Sequence, residues 1–136
     1  MTVALLAIGS ELLQGDVANT NGQWLAVQLT DLGYHISSIA TVGDDGGAIA
    51  ATLARLMASH DIVIVTGGLG PTSDDITSLA VAELKGVSLV LNEDALACIC
   101  RRLESKGREV TDGHRKQAML PDGATYLPNS IGTAPG

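Results

Sequence analysis

Residues Asp61–Asp75 read DIVIVTGGLGPTSDD, and the fold class follows from their pattern. The first six residues are β-branched and apolar almost without break, which predicts a strand buried on both faces. Gly67, Gly68 and Gly70 follow, with Pro71 and the pair Asp74-Asp75. Downstream, Ile76, Leu79, Ala80 and Leu84 share one helical face, so a helix is expected over 76–84. Strand, glycine-rich loop and helix in that order form the βα unit of a parallel sheet.

The same alternation extends outward. Val3–Ile8 reads as a strand ended by Gly9, and Thr20–Leu32 as a helix capped by Asn19 or Thr20 and stopped at Gly33. His35–Val42 reads as a second strand, and Gly46–Ser59 as a helix with Ile49, Leu53, Leu56 and Met57 on one face. Beyond the loop, helices are expected over 93–106 and 111–120, and a short last strand over 124–127. The fold class is therefore α/β, with a mainly parallel, doubly wound sheet in one domain spanning residues 1–136.

Composition narrows the function. Trp24, Tyr34 and Tyr126 are the only aromatic residues, which leaves no platform for stacking single-stranded nucleic acid. The net charge of −7 gives no general attraction to nucleic acid or anionic lipid. Residues 1–100 carry 11 acidic and 2 basic side chains; residues 101–136 carry 4 acidic and 6 basic. Cys98 and Cys100 stand about 200° apart on a helix, too divergent for a disulfide. No apolar run reaches the roughly 18 residues of a membrane span, and the N-terminus lacks a leader pattern. A cytoplasmic protein is expected.

The chemistry is expected in the loop. Loops at the C-terminal ends of parallel strands form the ligand crevice, and glycines allow close backbone approach. The following helix start favours an anion. Thr66, Gly67, Gly68, Gly70, Thr72 and Ser73 are the candidate phosphate-binding residues. Asp74 and Asp75 either cap the helix or, Asp75 foremost, hold a divalent metal with the ligand's phosphates. Glu11 and Asp16, after the first strand, could face the same crevice as Asp75, and Asn21, at the next helix start, is a further candidate ligand contact. Arg115 and Lys116 could clamp a distal phosphate, whereas Arg101, Arg102 and Lys106 read as a solvated helix face. His35, His60 and His114 are scattered without ligand spacing. A Walker A loop, a third glycine for G-x-G-x-x-G and a G-x-S-x-G elbow are all missing from the sequence.

Five ordered blocks, IGSELLQGDVANTN, TVGDD, TGGLGPTSDDIT, RKQAMLP and PNSIGTAPG, resemble the N-terminal domain of CinA-type (competence/damage-inducible) proteins. That domain belongs to the molybdopterin-binding superfamily with MogA, MoaB and part of MoeA. The resemblance implies a three-layer α/β/α sandwich and a catalytic or metal-holding role for Asp75 with Glu11. It also implies ligand contacts from the glycine loop, the Arg115-Lys116 pair, Thr133 and Gly136. His114 stands where members usually have Asn, and Ser130-Ile131 where they have Pro-Val. The implied activity is metal-dependent hydrolysis of ADP-ribose or a similar nucleotide, with magnesium or a transition metal. The alternatives are a molybdopterin-binding or adenylyl-transferring domain, and a non-catalytic nucleotide-binding module. A homo-oligomer, and further strand and helix beyond the last block, are also implied.

Overall fold

In the computed structural model, which describes all 136 residues, backbone contacts group the chain into two units, Met1–Gly68 and Leu69–Gly136. The first contains β1 (Thr2–Ile8), α1 (Ser10–Gln14), α2 (Thr20–Asp31), β2 (His35–Val42), α3 (Gly46–Ser59) and β3 (Ile62–Thr66). The strands form a parallel sheet in the order β2-β1-β3. Val3 pairs with Ile62 and Ala7 with Thr66 in one register, and Ala7 with Thr41 in the other, with one irregularity between Val3 and Ala4.

This order corrects one expectation. The run DIVIVT does form a strand, but β3 lies at the edge of the three and is only half-buried. The covered strand is β1, whose residues Val3–Ile8 are all buried. Apolar composition predicts that a segment seeks cover, and two similar segments compete for the central place. Right-handed crossovers running in opposite directions, β1 to β2 through α2 and then β2 to β3 through α3, put α2 and α3 on opposite faces of the sheet. Ile49, Leu53 and Leu56 are the buried stripe of α3, at i, i+4 and i+7. Burial of side chains of this size contributes about 1.5–3 kcal/mol each. Asn19 accepts from the amide of Gly22 and Asp45 from that of Ala48, which fixes the starts of α2 and α3.

The second unit contains α4 (Thr77–Lys85), β4 (Leu89–Leu91), α5 (Glu93–Glu104), α6 (Asp112–Gln117) and β5 (Met119–Pro121). β4 and β5 pair antiparallel, Val90 opposite Leu120. Ala95, Ile99 and Leu103 line the inner face of α5 and bury Ala118 with them, while Leu96, Val110 and Tyr126 pack at the margin. The helix expected over 111–120 is shorter: α6 stops at Gln117, and Met119-Leu120-Pro121 is a strand. Residues 124–127 form no strand. His114 is buried and caps α6, its Nδ1 accepting from the Thr111 amide at 3.1 Å.

The last block closes on itself. Leu127 and Gly136 exchange two backbone hydrogen bonds of 2.7 and 2.9 Å. Inside the loop, the Asn129 side chain accepts from Ile131 and Gly132 and donates to Ala134. The Arg102 guanidinium donates to the carbonyls of Ser130 and Ile131. Arg102 therefore holds this loop and is not part of a solvated face. Cys98 and Cys100 are both free thiols, as their spacing requires. No helix is long and apolar enough to cross a membrane.

Candidate functional site

β2 and β3 flank β1 on opposite sides, so the connections reverse direction there. Such a switch point opens a crevice at the C-terminal ends of the two strands on which the reversal turns. Ile8 ends β1, Thr66 ends β3, and a cavity of about 150 Å³ lies beside both. Its remaining wall comes from Glu11 and Leu12 of α1, the turn Val17–Asn19, and Thr20 and Asn21 opening α2.

Local chemistry builds each wall. Gly67 has φ +94°, and a Cβ there would lie 2.0 Å from the Ile8 carbonyl oxygen. Only glycine lets the chain leave β3 so close to the end of β1. On the other wall, α1 has no cap from its own Gly9. Asp44 supplies one: its carboxylate accepts from the Ser10 amide at 2.9 Å, and its own amide donates to Ser10 Oγ at 3.1 Å. The TVGDD block therefore anchors two helices, α1 through Asp44 and α3 through Asp45, and Asp44 thereby sets where Glu11 stands.

Of the residues expected at the site, Glu11, Asn21, Thr66 and Gly67 meet around this cavity. Sequence reasoning missed Ile8, Leu12, Val17 and Ala18 as lining and Asp44 as anchor. The strand order that brings them together is not written in any local pattern. Asp44 carried one signal: GDD holds one acidic residue more than a single cap needs.

Gly68 ends the first unit, and the remaining candidates lie in the second, where α6 braces the loop 69–75. Gly113, Lys116 and Gln117 fall at i, i+3 and i+4, on one face. A Cβ on Gly113 would come within 2.7 Å of the Pro71 carbonyl oxygen. Lys116 Nζ donates to the carbonyl of Thr72 and, at 2.6 Å, to that of Asp75. Gln117 Nε2 donates to the Leu69 carbonyl at 3.3 Å. Lys116, expected at a phosphate, is thus found on two main-chain oxygens. Arg115 is exposed on α6, and Thr133 is half-buried in the terminal loop.

Asp75 closes the loop from inside. Its Oδ2 accepts from Thr72 Oγ1 at 2.6 Å and from the Thr72 amide at 3.0 Å. Burial pushes its carboxyl up, but the Thr72 hydroxyl and amide, the Gly70 amide and the Lys116 charge outweigh this and hold it below its ordinary value. Ser73 and Asp74 are exposed and share one long contact of 3.4 Å. Nowhere do three His, Cys, Asp or Glu side chains gather as a metal-binding group.

Comparison with known proteins follows the same outline. A family described as "Probable molybdopterin binding domain" matches residues 4–136, across both units. A CinA-like protein of Geobacter sulfurreducens is 47% identical over 136 residues, all of this chain and 33% of that protein. The chain spans a third to about half the length of the curated relatives it matches. The crystal structure of CinA from Thermoplasma acidophilum, a protein of unknown function, superposes with a TM-score of 0.91 at 34% identity, over 99% of this chain and 79% of that one. The tungsten cofactor synthesizing protein MoaB of Pyrococcus furiosus shares the fold, with a TM-score of 0.58 at 20% identity over 78% of this chain and 64% of that one. An α/β fold of the MogA/MoaB type, five sequence blocks in order and this similarity along the whole chain agree: the chain belongs to the probable molybdopterin-binding family, as a CinA-type domain.

Proposed function

We propose that this chain binds a phosphate-bearing small molecule of pterin or nucleotide type, seated in the cavity formed by Glu11, Asn21, Thr66 and Gly67. One observation carries the reading: the cavity lies at the topological switch point, on the C-terminal ends of β1 and β3. The family description supports a pterin. The cavity is smaller than the roughly 300–1,000 Å³ of whole-ligand pockets, so it takes one part of such a molecule.

Titration with pterin and with ADP-ribose, followed by calorimetry, tests this. Asn21→Ala and Thr66→Val are expected to weaken binding of at least one of them. Unchanged affinity in both variants would remove the cavity from the account.

Hydrolysis of ADP-ribose is the finer reading. It draws on the CinA likeness and on Asp75, whose carboxylate is kept charged by the Thr72 hydroxyl and amide. AMP release from ADP-ribose with magnesium, lost in Asp75→Ala, is the expected result. Undiminished release in that variant would exclude Asp75 from the chemistry.

A further inference from the structure

The cavity beside β1 and β3 has the wrong electrostatics for a phosphate. None of its lining residues is Lys, Arg or His. Residues 1–68 carry six acidic side chains against Arg55 alone. The start of α2 reaches the cavity, and a helix start ordinarily welcomes an anion. Here three of the four first-turn amides already have acceptors: Thr20 donates to the Ala18 carbonyl at 2.8 Å, Gly22 to Asn19 Oδ1 at 2.9 Å, and Gln23 to the Asn19 carbonyl at 3.3 Å. What the cavity does offer is the Glu11 carboxylate, which no protein donor engages. A carboxylate accepts hydrogen bonds and donates none, and its two oxygens can take two parallel bonds from neighbouring donors.

We propose that Glu11 is a specificity-determining residue whose carboxylate grips the part of the ligand that carries two adjacent hydrogen-bond donors, leaving the phosphate outside the cavity. This rests on the proposed function and names which portion of the ligand the cavity reads. Two chemistries present such a pair: the vicinal hydroxyls of a ribose, and the ring N–H with the exocyclic amino group of a pterin. Ile8, Leu12 and Val17 supply the apolar wall that either ring would lie against.

Four probes separate these sources. ADP is compared with 2′,3′-dideoxy-ADP, and pterin with lumazine, in which an oxygen replaces the amino group. Each is titrated into the wild-type chain and into Glu11→Gln, with and without magnesium. The variant keeps the side chain's size but turns one acceptor into a donor, and Glu11 is exposed, so folding is not at stake. The wild type is expected to prefer the donor-bearing member of one pair by roughly 10- to 100-fold, the range for bonds to a charged group. In Glu11→Gln that preference is expected to fall to near parity, whether or not magnesium is present. The pair that shows the effect identifies ribose or pterin.

A preference that survives intact in Glu11→Gln overturns the inference while the proposed function stands. So does a Glu11 effect seen only with magnesium, which would make the carboxylate a cation ligand. If none of the four probes binds the wild type, both fall together.

Discussion

Substituting Gly67 by alanine attacks the geometry on which the cavity depends. Two costs are separable. At φ +94° an L-residue is strained, at about 1–2 kcal/mol. The added Cβ would also stand 2.0 Å from the Ile8 carbonyl oxygen, where ordinary contact begins near 3.4 Å. That oxygen is main chain at the end of the central strand, so relief requires β1 or the loop to move. Overpacking of this kind costs about 1–3 kcal/mol. The sum is about 2–5 kcal/mol, a large share of the roughly 5–15 kcal/mol that holds a domain folded. Gly15→Ala is the matched control: its φ is +78°, and its Cβ would meet nothing within 4 Å. The control carries only the strain, about 1–2 kcal/mol. Urea unfolding of both variants, with slopes compared, reads the difference. Gly67→Ala should unfold at clearly lower urea than Gly15→Ala and lose ligand binding in its folded fraction. Equal midpoints would refute the close approach of Gly67 to β1.

Three further outcomes follow from the contacts described. Lys116→Met removes the donor to the Thr72 and Asp75 carbonyls and should cost about 1.5–3 kcal/mol, while the Asp75 carboxyl titrates higher; unchanged stability would show the brace to be idle. The Asp75 carboxyl is depressed below its ordinary value of 3.8, so its contribution is fully present above that pH and is lost as pH falls through it toward the folded value. Asp75→Asn should therefore lose less stability than the wild type on acidification below about pH 4, and parallel pH profiles would contradict this. Asp44→Ala removes the acceptor at the start of α1 and should cost about 1 kcal/mol; hydrogen exchange at Ser10–Leu12 should rise, and unaltered exchange there would count against Asp44 as the anchor.

Much of this architecture was legible because glycines and caps punctuate it. Gly33 marks the end of α2, and β2 and α3 lie where their patterns predict. Other elements were hidden for physical reasons. Val3–Ile8 and Ile62–Thr66 are both apolar runs, and nothing local says which one the other two strands will flank. Met119-Leu120-Pro121 extends a helical pattern by three apolar residues, too few to distinguish the two periods. α1 is five residues long and borrows its cap from Asp44, 34 positions away. The site was legible in its residue types and not in its groupings. Glu11, Asn21, Thr66 and Gly67 were identifiable as candidates, but their meeting depends on strand order. Lys116 was recognisable as a candidate phosphate clamp; only tertiary structure shows its donors spent on carbonyl oxygens.

On the proposed function, the C-terminal ends of β1 and β3 form the ligand seat. Amide-resolved NMR of the uniformly ¹⁵N-labelled chain, titrated with pterin and with ADP-ribose, tests it most directly. Saturating shifts concentrated at Leu12, Asn21, Thr66 and Gly67 are the predicted result. A ligand that binds and leaves those amides unmoved, shifting residues elsewhere, would contradict it.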